Sequence, residues 1–99
     1  MWILQSSNGR TGPLLFRVLP GAVKTVGRAP RADFIVDAAL VSRLHCRLEA
    51  DAERLAVIDL SSTNGTFVND ERVERANMKS GDRLRMGRVE LTVEKKATG

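Results

Sequence analysis

An all-β sandwich or barrel is predicted for this 99-residue chain. Short runs of Val, Ile, Leu and Phe recur about every ten residues, and Gly, Pro, Asn and Asp separate them. That is the pattern of sequential strands and turns, and it differs from alternating strand and helix. The length suits one domain with one core.

Trp2 to Leu4 reads as a first strand, followed by a loop at Ser6-Ser7-Asn8-Gly9. Leu14 to Leu19 reads as a second, ended by Pro20-Gly21, and Val23 to Val26 as a third, ended by Gly27. Gly27 to Asp33 is a loop, since Pro30 lacks a backbone donor and restricts its neighbour. Phe34-Ile35-Val36 is a brief strand, and Asp37 to Ser42 a connection. From Ala38 to Leu60 two readings compete. Leu40, Leu44 and Leu48 recur every four residues, as on a helix. Leu44, Cys46 and Leu48 also alternate with His45, Arg47 and Glu49, as on a strand that turns at Ala50 to Glu53 and returns as Leu55 to Leu60. Strands on both sides favour the hairpin.

Next comes Ser61 to Asn69, the densest group of short polar side chains. Asn64-Gly65 is a hairpin-turn signal, because both central residues of such a turn take positive φ. Thr66 to Val68 follows as a strand, Asn69-Asp70-Glu71 as a turn, then Arg72-Val73. Glu74 to Ser80 reads as a connection in which Met78 plugs the core. Leu84 to Met86 and Val89 to Val93 are the last strands, joined by Gly87-Arg88, and 95–99 is read as a frayed tail.

Composition narrows the chemistry. The hydrophobic share of 42% and charged share of 28% are those of a soluble globular protein. No apolar run approaches the ~20 residues of a membrane span, and no basic leader opens the chain, so a cytoplasmic setting is expected. Cys46, without a second cysteine or a histidine cluster, offers neither a disulfide nor a metal site, and no cofactor is expected. Sixteen Lys and Arg against twelve Asp and Glu give a net charge of +4. That balance favours an anionic partner, whether nucleic acid, membrane surface or phosphorylated protein.

Three groups fall on loops between strands: Gly27-Arg28, Ser42-Arg43-Leu44-His45, and Ser61 to Asn69. In this order and spacing, with Asp59-Leu60, Gly81-Asp82 and Met86-Gly87, they resemble the forkhead-associated (FHA) domain and its G-R, S-x-x-H and N-G-T-x-V-N elements. The resemblance covers essentially residues 1–94. It implies a β-sandwich of about eleven strands with binding loops at one end, and a phosphothreonine-binding module in Ser/Thr-kinase signalling, without catalysis. It also implies roles for single residues. Arg28 and Ser42 would contact the phosphate and Thr63 would add a further contact, while Arg43 and Asn64 would hold the peptide backbone. Gly27, His45, Gly65 and Asn69 would support the loops. Leu40 is a candidate wall for the residue three positions after the phosphothreonine. The expected partner is a threonine-phosphorylated protein or peptide, met by a monomer, with no nucleic acid and no membrane.

The chemistry agrees with that expectation. A phosphate dianion offers three strong acceptor oxygens, which a guanidinium fork and small hydroxyls satisfy. Asn64 can both donate to and accept from an extended backbone. An enzyme is disfavoured. Ser42, His45 and Asp59 supply the residue types of a nucleophilic triad, but an i, i+3 pair on extended chain tends to face opposite ways. No G-x-S-x-G turn surrounds Ser42, and no G-x-x-x-x-G-K-[ST] loop is present. Nucleic-acid binding is the main rival, with Arg10, Arg28, Arg31 and Arg43 available, but Trp2, Phe16, Phe34 and Phe67 sit in apolar strand contexts. A scaffold that binds independently of phosphate is the third reading.

Overall fold

In the computed structural model, which describes residues 1–6 and 13–97, eleven strands build two sheets. They are β1 (Trp2–Ser6), β2 (Leu14–Val18), β3 (Val23–Gly27), β4 (Phe34–Ile35), β5 (Cys46–Ala50) and β6 (Leu55–Asp59), then β7 (Thr66–Val68), β8 (Glu71–Val73), β9 (Arg75–Met78), β10 (Arg83–Met86) and β11 (Val89–Lys95). One sheet has the order β2-β1-β11-β10-β7-β8 and the other β4-β3-β5-β6-β9. Of the expected loop after β1, Ser7, Asn8 and Gly9 lie outside the described residues, as do Arg10 and the last two residues of the tail.

Period-two patterning places the core. Trp2 and Leu4 on β1, Leu84 and Met86 on β10, and Leu91 and Val93 on β11 are buried, while their chain neighbours Gln5, Arg83, Glu90 and Thr92 face outward. Cys46 and Leu48 on β5 and Leu55 and Val57 on β6 meet them from the second sheet. The stretch that could be read as helix is a hairpin, with Cys46 opposite Asp59 and Ala50 opposite Leu55. Phe16 on β2 stacks on Phe34 on β4 at 4.6 Å between ring centroids, so the two edge strands close one flank of the sandwich. Cys46 is a small, fully buried side chain on β5. Burial, reinforced by the charge of Asp59, pushes its thiol up to about 12, which leaves it unreactive at neutral pH.

Three expectations are corrected. The connection from Glu74 to Ser80 contains β9, paired with β6 and planting Met78 in the core. Asn64-Gly65 closes no hairpin, because β6 and β7 belong to different sheets and the segment between them crosses from one to the other. The tight turn lies at Asn69-Asp70, where φ values of 51° and 68° join Val68 to its partner Glu71. Both are positive, as a two-residue hairpin loop requires. Finally, β11 runs on to Lys95 opposite Trp2, and Lys96 exchanges backbone hydrogen bonds with Met1 at 2.8 and 3.1 Å, so the chain is tied down as far as Lys96, further than a tail from residue 95 implies.

Candidate functional site

Three loops meet at one end of the sandwich: 28–33 after β3, 36–45 before β5, and 60–65 between β6 and β7. Backbone bonds lace the first two together, with Arg28 N–H donating to Ser42 O and Ala29 N–H to Arg43 O, both at 3.0 Å. Only glycine fits where they touch. A Cβ on Gly27 would lie 2.0 Å from the Arg43 carbonyl oxygen. The turn after Arg28 is held by Asp33, whose carboxylate accepts from Thr25 N–H at 2.8 Å and from its hydroxyl at 3.1 Å. Those bonds hold the Asp33 carboxyl below its usual range.

His45 joins the second loop to the third. It is wholly buried. Its Nδ1 accepts from Ser42 N–H at 3.0 Å, so the ring proton is on Nε2, which donates to Gly65 O at 2.8 Å. The strict alternation read from the sequence, with His45 beside outward Arg47 and Glu49, therefore fails at this residue, because the ring turns inward just before β5 begins. Ser42 makes a second link, its hydroxyl oxygen accepting from Thr63 N–H at 3.0 Å. Asn64 makes a third, donating Nδ2–H to Leu40 O at 3.1 Å. Leu40 itself holds a φ of 71°, uncommon for a branched side chain.

The third loop is braced from beneath by Asp59. Its carboxylate accepts from Ser62 N–H at 3.1 Å, the Ser62 hydroxyl at 2.5 Å and the Thr66 hydroxyl at 2.7 Å. Ser62 Oγ in turn accepts from Gly65 N–H at 3.0 Å. Burial would raise the Asp59 pKa, but the bonds from Ser62 and Thr66 outweigh it and hold the carboxyl below its usual range. Such a group stabilises the fold above its unfolded pKa of ~3.9 and loses that contribution as pH falls through the lower folded value. Urea melts of the wild type should therefore show stability falling below about pH 4, and Asp59→Asn should flatten that acid limb. An unchanged limb in the variant would assign it to other carboxylates.

The result is an open pocket of about 540 Å³ lined by Arg28, Asp37 to Ser42, Thr63 and Asn64. Four of the five residues expected to meet a ligand come together there. Arg28 donates its Nε–H to Val41 O at 3.1 Å, which fixes the guanidinium and leaves its terminal nitrogens without a protein partner among the described residues. Arg43 is exposed beside the pocket and does not line it. Gly65 has a φ of 91°, and a Cβ there would meet Arg72 Nε at 2.8 Å. Asn69 is placed elsewhere. It donates to Asp82 at 3.1 Å and accepts from Arg83 N–H at 3.0 Å, fastening the β7–β8 turn to the start of β10, at the end of β7 away from the pocket. Asp37 was not anticipated, and nothing in its local sequence marks it out. Ser42, His45 and Asp59 form no relay, since His45 meets the main-chain nitrogen of Ser42 and Asp59 is engaged by Ser62 and Thr66.

Comparison with known proteins agrees with this architecture. The family model described as FHA domain matches residues 24–87. Glycogen accumulation regulator GarA of Mycobacterium tuberculosis is 35% identical over 74 residues, which are 75% of this chain and 46% of that protein. The ABC transporter ATP-binding/permease protein Rv1747 of the same organism is 38% identical over 82 residues, 83% of this chain and 9% of that protein. The chain thus spans less than half the length of these curated relatives. Among solved structures, the FhaA FHA domain complexed with the intracellular domain of Rv3910 superposes with a TM-score of 0.85 at 32% identity, covering 95% of this chain and all of that one. An FHA domain studied for phosphothreonine-dependent interactions gives 0.82 at 31% identity, covering 97% of each chain. No helix among the described residues is long and apolar enough to cross a membrane. With the family model spanning most of the sandwich and all three loops on it, this chain belongs to the FHA domain family.

Proposed function

We propose that the domain is a binding module for phosphothreonine in partner proteins, acting in kinase signalling and carrying out no reaction itself. The observation that carries this reading is the convergence of Arg28, Ser42, Thr63 and Asn64 on one open pocket. Arg28 supplies the cation and a fork already anchored through Nε. The Ser42 oxygen accepts from Thr63 N–H, which leaves its own hydroxyl proton for a phosphate oxygen. Asn64 keeps its carbonyl oxygen and one amide hydrogen for a peptide backbone, the other being spent on Leu40. Arg43, outside the pocket, fits the flanking peptide better than the phosphate. Cytoplasmic location and action as a monomer belong to the same proposal.

Base stacking is poorly served. Trp2 is buried, Phe16 and Phe34 stack on each other, and Arg85 covers the Phe67 ring at 4.2 Å. None of the four lines the pocket. The test is a calorimetric titration with a phosphothreonine peptide drawn from an oriented library, beside its unphosphorylated twin. Binding of the first alone is expected, and it should weaken as pH falls below the phosphate's second pKa of ~6. Equal affinity for both peptides would favour a phosphate-independent scaffold.

A further inference from the structure

The pocket end of the domain carries more positive charge than a phosphate group uses. Arg28 is the one cation among the described residues lining the pocket, yet four more arginines lie on or beside the loops that form it. Arg31 follows in the same loop, closed by Ala32 N–H on Ala29 O at 3.0 Å. Arg43 adjoins Ser42. Arg72 lies against Gly65, next to Asn64, as the 2.8 Å approach of its Nε to a Cβ built there shows. Arg88 adjoins Gly87, which packs on the Leu40 side chain and the Ala39 carbonyl. All four are exposed, and none forms an ion pair with a described residue. Arginines elsewhere on the sandwich are often paired, as Arg47 and Arg75 are with Glu49 and Arg83 and Arg85 with Asp70. Opposing the rim is Asp37, the only carboxylate among the described residues that line the pocket.

We propose that this rim of Arg31, Arg43, Arg72 and Arg88 selects phosphothreonines set in acidic segments of the partner. The inference rests on the phosphothreonine reading and names its ligand class. Unpaired like charges held on short loops and on the edge strand β8 repel one another, and an acidic segment relieves that repulsion as it docks. The Debye length of ~10 Å at 0.1 M salt lets rim charges act on residues flanking a phosphothreonine in the pocket. Exposed rim charges of this kind act chiefly on the association rate and its salt dependence.

The test uses three phosphothreonine peptides that differ only in carrying Glu, Ala or Lys at the flanking positions, each with its unphosphorylated twin. Association is followed by stopped flow at low (about 50 mM) and high (about 300 mM) salt. At low salt the Glu-flanked peptide should associate about tenfold faster than the Ala-flanked one, with the difference shrinking at high salt. Combining Arg31→Ala, Arg72→Ala and Arg88→Ala should remove that advantage while leaving the Ala-flanked peptide within about twofold of wild type. Equal rates for the three flanks, or an advantage that survives the triple substitution, would overturn the proposal. So would tighter binding of a single-stranded oligonucleotide than of the Glu-flanked peptide, with the same loss in the triple variant. Loss of phosphate dependence with every flank would instead sink the phosphothreonine reading itself.

Discussion

Replacing Arg28 by alanine is expected to abolish measurable phosphopeptide binding while the domain stays folded. The side chain is exposed and its one internal bond among the described residues is from Nε to Val41 O, so little of the fold depends on it. Under the proposed function the ligand depends on it far more. Removing one partner of a hydrogen-bonded charge pair costs about 2–5 kcal/mol, or roughly thirtyfold and upward in affinity. Arg28→Lys should recover only part of that loss, because an ammonium keeps the charge but has neither the planar fork nor the Nε anchor. Calorimetry beside a thermal melt decides the matter. Wild-type affinity in a folded Arg28→Ala protein would remove phosphate recognition from this pocket.

Gly27→Ala is expected to be as severe by a different route. A methyl group 2.0 Å from the Arg43 carbonyl oxygen cannot be relieved by a side-chain rotation, since the obstacle is backbone. The strand is also clamped on every side, by Val36 N–H on Gly27 O at 2.8 Å, His45 N–H on Val26 O at 2.8 Å and Arg28 N–H on Ser42 O at 3.0 Å. Overpacking inside a well-packed region costs about 1–3 kcal/mol, and a backbone obstacle belongs at or above the top of that range. Urea denaturation should show the loss directly, and the protein that remains folded should bind phosphopeptide poorly because Arg28 and Ser42 are displaced together. A destabilisation below about 1 kcal/mol would mean that the two loops separate more readily than their bonds indicate.

What the sequence made legible follows from how locally each feature is encoded. Strands with alternating inward residues, such as Trp2 and Leu4 or Leu91 and Val93, declare themselves through the period of the pleat. β9 does not. It lies at the edge of its sheet and turns inward only Ala76 and Met78, so its polar residues read as a connection. The Asn64-Gly65 pair misled for a related reason. A turn signal says that the chain reverses locally, but not that the strands on either side pair, and here they join different sheets. The left-handed pair at Asn69-Asp70 lacks glycine and carried a weaker signal for the real hairpin. Within the site, Arg28, Ser42, Thr63 and Asn64 could be named in advance by family resemblance. Asp37 reaches the pocket only because the 36–45 loop folds back over it, which no short-range pattern records.

The hydrogen bonds between Met1 and Lys96 set how the module can be mounted. Trp2 beside them donates Nε1–H to Asp51 O at 3.1 Å, at the β5–β6 turn, which is the pole remote from His45 and the pocket loops. β11 starts at Val89 near the Leu40 side of the pocket and carries the chain seven residues away, a span of about 20 Å. Both ends therefore leave side by side from the far pole. A neighbouring segment fused to either one, or the whole domain spliced into a surface loop of another protein, would leave the pocket facing outward, like a reading head on a short stalk.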